Sequence, residues 1–247
     1  MRFITSLCGV LCLASSIYAE SPRIAISRTA TQIKEEWEQV AMQNIIDYAE
    51  LHRYHLQLSG HVDKDRHPAW SKVKAWQHLL QRYDWVWQTD ADMAILDMHR
   101  RLETFLDSDY DIIIGRDCST FHDLLDHGFN ASEALRASVN TGSFFLRSSP
   151  WTSEFLCKLY EYNGSHIPNI DIWWDNAAMI HFIQMDQSLD THIKLLPGRL
   201  FNAWPPSTTH YFRERNVSHL CDHTETVFYE PGEATVAVRP GPSDGPA

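Results

Sequence analysis

Hydrophobic and polar positions along this chain switch repeatedly between two periods, and the switches mark its elements. Arg23 to Ser27 (RIAIS) is a short apolar run of strand type. From Thr31 to Leu51, apolar residues recur at Ile33, Trp37, Val40, Met42, Ile45, Tyr48 and Leu51, most of them on one helical face. Tyr54 to Ser59 then alternates, as a strand does. Pro68 opens a second helix carrying Trp70, Val73, Trp76, Leu80 and Tyr83, since proline suits a first helical position. Trp85-Val86-Trp87 is a compact apolar strand that ends at Asp90. Further on, the pattern predicts a helix over Arg100–Leu106 and strands at Asp111–Gly115 and Val139–Arg147. A helix capped by Ser149-Pro150 follows, then one over Asp175–Gln184, then a strand at Ile193–Leu196. Strands alternating with helices predict a single α/β domain with a mostly parallel sheet covered on both faces.

In such sheets ligands bind beyond the carboxyl ends of strands. The segment YDWVWQTDAD sets Asp90 and Asp92 where a strand gives way to a loop. Carboxylates one residue apart in a turn can share a hard cation such as Mn²⁺ or Mg²⁺, or divide the work between ion and ribose. D-x-D also occurs at Asp63/Asp65, Asp107/Asp109 and Asp109/Asp111, in an acidic chain that reads there as polar turns. Only Asp90/Asp92 follows directly on an apolar strand.

Charge and leader sharpen the picture. Lys plus Arg number 21 against 32 Asp plus Glu, a formal net charge of −11. That argues against nucleic acid and anionic lipid as partners, while leaving room for one basic pocket for a diphosphate. Residues 1–19, with Arg2 and the apolar run Ile4–Ala14, are expected to be a signal peptide, a short anchor in the membrane being the alternative. Sequons at Asn130, Asn163 and Asn216 fit a lumenal or extracellular setting. Beyond the leader, Cys118, Cys157 and Cys221 have no metal-ligand rhythm and read as buried free thiols. After Gly232 the composition predicts a disordered tail, residues 233–247.

The run RYDWVWQTDADMAI resembles the hallmark strand and DXD motif of the galactosyl/mannosyl transferases of glycosyltransferase family 34. Tyr48-Ala49 through Tyr54, the lysines Lys72 and Lys74, Asn140–Arg147 followed by Trp151, Asp175–Ala178, and Pro197–Asn202 resemble further family blocks in the same order. The similarity spans Arg23 to Cys221. It implies a GT-A-type, Rossmann-like nucleotide-diphospho-sugar transferase domain over residues 20–232, a Mn²⁺ requirement and retention of anomeric configuration. It implies a donor such as UDP-galactose, GDP-mannose or UDP-xylose, a glycan or glycoprotein acceptor, and a Golgi setting. By position, Asp90 would contact ribose and metal, Asp92 would be the principal metal ligand, and His219 would close the site, with His210 and His223 as competitors. Asn140, Gly142 and Asp175 are candidates for the sugar-facing wall, and Lys72 or Arg199 for the diphosphate. Gly142 either allows close backbone approach or relieves crowding in its strand. Asp175 either orients an acceptor hydroxyl or stabilises an oxocarbenium-like transition state, or else caps its own helix. Base selectivity is expected to depend on contacts near Ser27 and Arg28. The family's Gln and Asp are replaced by Asn176 and Ala177, which leaves a secreted, inactive binder of nucleotide or glycan as the alternative. The tryptophans read as core, with Trp174 the one to test for stacking on a sugar.

Overall fold

The computed structural model describes residues 21–30, 36–162 and 174–200. The expected leader (1–19), Asn163, Asn216, Cys221, the three late histidines and the tail lie outside the described residues.

Six strands form one sheet: β1 (Ile24–Thr29), β2 (His55–Ser59), β3 (Trp85–Asp90), β4 (Ile112–Arg116), β5 (Val139–Arg147) and β6 (Ile193–Leu196). Their order is β2-β1-β3-β5-β4-β6. All neighbours run parallel except β5, which is antiparallel to both β3 and β4. The sheet is therefore mixed, and the antiparallel strand sits at its centre.

Strand pleating explains the unbroken apolar runs. Trp85 and Trp87 of β3, Ile113 of β4 and Phe145 of β5 pack on one face with α1 (Glu36–His52). Val86, Ile112, Ile114, Phe144 and Leu146 point the other way. They pack with α2 (Ser71–Leu79), α3 (Cys118–Asp126), α4 (Ala131–Ala137), α5 (Pro150–Glu161) and α6 (Asp175–Met185). A strand covered on both faces gains from apolar side chains at every position.

The differences from the pattern have physical causes. Helix α1 buries Ala41, Ile45, Tyr48 and Ala49, while Trp37, Val40 and Leu51 are exposed. The buried stripe recruits alanines, which hydrophobicity-weighted periodicity passes over. Arg100–Leu106 is only a single 3₁₀ turn, Leu102–Phe105, tucked under the sheet by Leu102 and Phe105. The sequence reading missed α3 and α4 altogether. Helix α4 is announced by Asn130, whose Oδ1 accepts from the backbone of Ser132 and Glu133 while Glu133 returns a bond to the Asn130 N–H. Cys157 is exposed, not buried. Among the described residues no helix is long and apolar enough to cross a membrane.

Candidate active site

Asp90 closes β3, flanked by Thr29 of β1. A buried chain aims its carboxylate: the Trp76 indole N–H donates to Gln88 Oε1 at 2.7 Å, and Gln88 Nε2 donates to Asp90 Oδ1 at 3.2 Å. Lys72 of α2 reaches the same oxygen at 2.8 Å and Asp175 Oδ2 at 3.4 Å. Its side chain is only 12% exposed. One ammonium thus joins the end of β3 to the start of α6.

The electrostatics follow from that sharing. Burial alone would lower Lys72, but the two carboxylates outweigh it and hold the ammonium charged. Burial raises the Asp175 carboxyl, and Lys72 only partly offsets this because Asp90 adds a like charge beside it. Asp175 does not cap its helix. Trp174 occupies the cap position, and the Asp175 side chain is turned to Lys72.

Gly142 of β5 faces Asp90. A Cβ there would lie 2.8 Å from Asn140 Oδ1 and 3.3 Å from Asp90 Oδ2. Close approach, not backbone freedom, is what the missing side chain supplies, since positive φ at glycine occurs elsewhere, at Gly128. Asn140 Oδ1 accepts from the Gly142 N–H at 2.7 Å, and Asn140 Nδ2 donates to Asp117 Oδ2 at 3.1 Å.

Asp92 lies two residues beyond Asp90 in a loop braced from beneath. Buried Arg28 donates to the carbonyl oxygens of Met93 (3.1 Å) and Ala91. Asn44 of α1 bonds both the N–H and the carbonyl of Ile95. Burial lowers Arg28 to about 10, against the pull of Asp92 and Asp90. Ser27 and Arg28, expected near a nucleotide base, are wholly buried; Thr29, also buried, and the half-buried Ala30 are the residues of this strand end that line a cavity.

These residues divide one cleft into two cavities. One, of about 260 Å³, is lined by Thr29, Glu38, Ala91 and Asp92. The other, of about 280 Å³, is lined by Asp117, Asp123, Asn140, Gly142, Asp175 and Asn176, with Trp174 at its edge. Ala69, Lys72 and Asp90 border both.

The structure thus gathers Lys72, Asp90, Asn140, Gly142 and Asp175 around one basin and puts Asp92 on the adjoining one. His219 lies outside the described residues, and of the Arg199 side chain nothing is described. Sequence reasoning missed Asp117 and Thr120, whose hydroxyl donates to Asp117 at 2.8 Å. Their position after Arg116, at the carboxyl end of β4, was the available signal. The two departures from the family blocks separate cleanly. Ala177 is buried in the core and lines neither of the two cavities, whereas Asn176 lines the basin and accepts from the Thr141 N–H at 3.0 Å. In each competing D-x-D pair at least one carboxylate is engaged in a structural contact. Asp63 accepts from Tyr160, Asp107 pairs with Lys194, and Asp111, buried at the foot of β4 and not in a polar turn, holds Arg147 and His192.

Comparison with known proteins agrees with this architecture. A fission yeast protein (Schizosaccharomyces pombe) described as an uncharacterised alpha-1,2-galactosyltransferase is 25% identical over 198 residues, covering 69% of this chain and 56% of its own length. A probable glycosyltransferase 3 of rice (Oryza sativa subsp. indica) is 29% identical over 123 residues, covering 47% of this chain and 24% of its own length. The chain therefore spans roughly half or less of these relatives. Among solved structures, a glycosyltransferase involved in glycosylation of the major capsid of PBCV-1 superposes with a TM-score of 0.59 at 11% identity, over 88% of this chain and 93% of that one. The galactosyltransferase LgtC, solved with donor and acceptor sugar analogues, gives 0.51 at 12% identity, over 90% and 88%. Both likenesses show the GT-A fold. The model of the galactosyl transferase GMA12/MNN10 family, glycosyltransferase family 34, matches residues 24–225, and the chain belongs to that family.

Proposed function

We propose that this chain transfers a hexose, galactose or mannose, from a nucleotide-diphosphate sugar to a glycan acceptor. The observation that carries the reading is the seam: Asp90 and Lys72 border both cavities at once. A nucleotide sugar is likewise two parts joined at a diphosphate, and the bond to be broken lies at that joint. The Asp92 cavity suits the nucleotide and diphosphate; the basin suits the sugar. The name of the fission yeast relative supports galactose; the family also leaves UDP-xylose as a donor, in which case the sugar moved would be a pentose.

A divalent cation fits the donor set. Asp90 Oδ1 is engaged by Lys72 and Gln88, while Oδ2 lies on the side of Gly142. Asp92 supplies a second carboxylate, and hard ions are commonly held by one or two carboxylates plus substrate phosphates. Among the described residues no third ligand joins them; His219 is the proposed one. When bound, Mn²⁺ or Mg²⁺ supplies charge neutralisation for the departing diphosphate.

The chain's own residues divide the remaining work. Lys72 sets a fixed positive charge at the seam, in a site sheltered from water. Asp175, held by Lys72, faces the positive charge that develops at the anomeric carbon. Asp117 and Asn140, tied to each other, present acceptors and a donor to ring hydroxyls. Retention of configuration and a location in the secretory pathway, at the Golgi or secreted, belong to the same proposal: the family motifs support retention and the Golgi, and the expected leader supports the secretory route.

Calorimetric titration with UDP and GDP, with and without Mn²⁺, tests it. Mn²⁺-dependent binding that disappears in Asp92→Ala is expected. Slow hydrolysis of one UDP- or GDP-sugar without acceptor should accompany it, and NMR of the transfer product should show the donor's anomeric configuration. Nucleotide binding indifferent to chelator and to Asp92→Ala would overturn the reading; Mn²⁺-dependent binding without hydrolysis of any donor would point to the idle family member.

A further inference from the structure

Trp174 adopts a backbone conformation foreign to a bulky side chain. Its φ of 48° and ψ of −110° fall where glycine is at ease and a large aromatic is strained. Helix α6 gains no side-chain cap from it. The indole is 39% exposed although it is among the largest apolar groups of the chain. What the strained backbone achieves is placement. It delivers the indole to the mouth of the basin, next to Asp175 and Asn176.

There the ring lies flat against His67, with centroids 3.6 Å apart and planes within 2° of parallel. His67 is itself held, its Nδ1 accepting from the Ala69 N–H at 3.3 Å, and Ala69 borders both cavities. Two rings far apart in sequence thus form one slab at the rim of the site.

We propose that this slab is the platform for the acceptor: an uncharged pyranose lays the C–H face of its ring on Trp174 and turns its hydroxyls toward Asp175 and Asn176. The inference rests on the transferase reading above and names the acceptor class for it. A pyranose has apolar C–H faces bearing slight positive charge, which complement the negative face of an indole. Its equatorial hydroxyls suit a carboxylate and an amide. His67 covers one indole face and keeps the ring's plane fixed, so little side-chain freedom is lost on binding. The basin of about 280 Å³ lies at the small end of ligand cavities. It has room for the donor's ring, so the acceptor's ring belongs on the rim. Asp90, Asp117, Asp123 and Asp175 all line the basin, and their charge disfavours uronate or sialate sugars.

The test uses the full chain and saturation-transfer NMR titrations with four probes: methyl α-mannopyranoside, methyl β-galactopyranoside, methyl β-glucopyranoside and methyl β-glucuronide. Trp174→Gly is the informative variant because glycine relieves the strained φ. Its melting temperature should match or exceed that of the wild type while binding of the neutral glycosides falls about tenfold, the order expected for losing one aromatic stacking surface. Trp174→Phe should retain most of the binding, and His67→Ala should weaken it a few-fold. The inference is overturned if the wild type binds none of the neutral glycosides, or binds the glucuronide equally well. It is also overturned if Trp174→Gly binds like the wild type, or lowers the melting temperature by several degrees and so reveals a structural role. Nucleotide titration on the same samples reports the donor side separately, so failure of the transferase reading and failure of the platform give different signatures.

Discussion

Gly142→Ala is the sharpest perturbation the site offers. Since the backbone at Gly142 is not in the left-handed region, an added methyl acts chiefly through sterics, offset by about 0.4–1 kcal/mol from a stiffer unfolded chain. That methyl would meet Asn140 Oδ1 at 2.8 Å and Asp90 Oδ2 at 3.3 Å. The first distance is closer than real Cβ contacts allow, so Asn140 must move. Its movement breaks two hydrogen bonds, from the Gly142 N–H and to Asp117. At about 1 kcal/mol for each bond, plus overpacking, the substitution should cost about 2–3 kcal/mol. Thermal unfolding of a chain this size should fall by roughly 4–12 °C. A shift of the Asp90 carboxylate by a few tenths of an ångström should lower donor hydrolysis by roughly tenfold, with about 10²-fold, the cost of a full 1 Å misplacement, as the upper bound. A double-mutant cycle isolates the cause. Asn140→Ala removes the clashing oxygen, so Asn140→Ala/Gly142→Ala should be less destabilised than the sum of the single variants by about 1 kcal/mol. Additive effects, or a Gly142→Ala variant that melts and turns over like the wild type, would refute the close-approach argument.

Three further outcomes follow from the ion pairs and the relay. Lys72→Met leaves Asp90 and Asp175 facing each other without a cation and should cost about 3–5 kcal/mol by urea unfolding. Because loss of the ammonium raises Asp175 further, folded Asp175 binds protons more readily than the unfolded chain. The deficit of Lys72→Met should therefore shrink as pH falls from about 7 toward about 5. Asp111→Asn should cost about 2–4 kcal/mol by loss of the Arg147 and His192 contacts. Burial works against the Asp111 carboxylate, but its Ser149, His192 and Arg147 partners prevail and its folded pKa lies below the usual value. Its contribution is thus present above about pH 4 and lost as pH falls through the folded value, a loss the Asn variant should not show in acid melts. Trp76→Phe leaves Gln88 Oε1 without its donor and should cost about 1–3 kcal/mol. It should also weaken Mn²⁺-dependent nucleotide binding a few-fold, measured by calorimetry.

Much of the fold and part of the site were legible because they rest on local periodicity. An apolar run of two tryptophans and a valine has to be a strand covered on both faces, and a strand that ends in Asp90 delivers a carboxylate to the sheet's carboxyl edge. Ser149-Pro150 marks the start of α5 for an equally local reason. Helix α4 was missed because its pattern, ASEALRA, is short and its fully buried positions, Ala134 and Ala137, are both alanines. The stripe of α1 was misread because alanine carries little hydrophobic weight yet lets a helix approach a sheet closely.

What the sequence by itself determined is therefore the α/β class, the family motifs and the placement of Asp90 and Asp92 at a strand end. Tertiary structure alone decided which charges meet. Lys72 and Asp175 lie 103 residues apart, and no period relates them; only the sheet order, with antiparallel β5 between β3 and β4, brings α2 and α6 to the same ammonium. The same holds for Asp117 under Asn140 and for Trp174 on His67. Periodicity reports which way a side chain points along its own element. Coulombic and stacking energies depend on distance through space, and that distance exists only once the strands have paired.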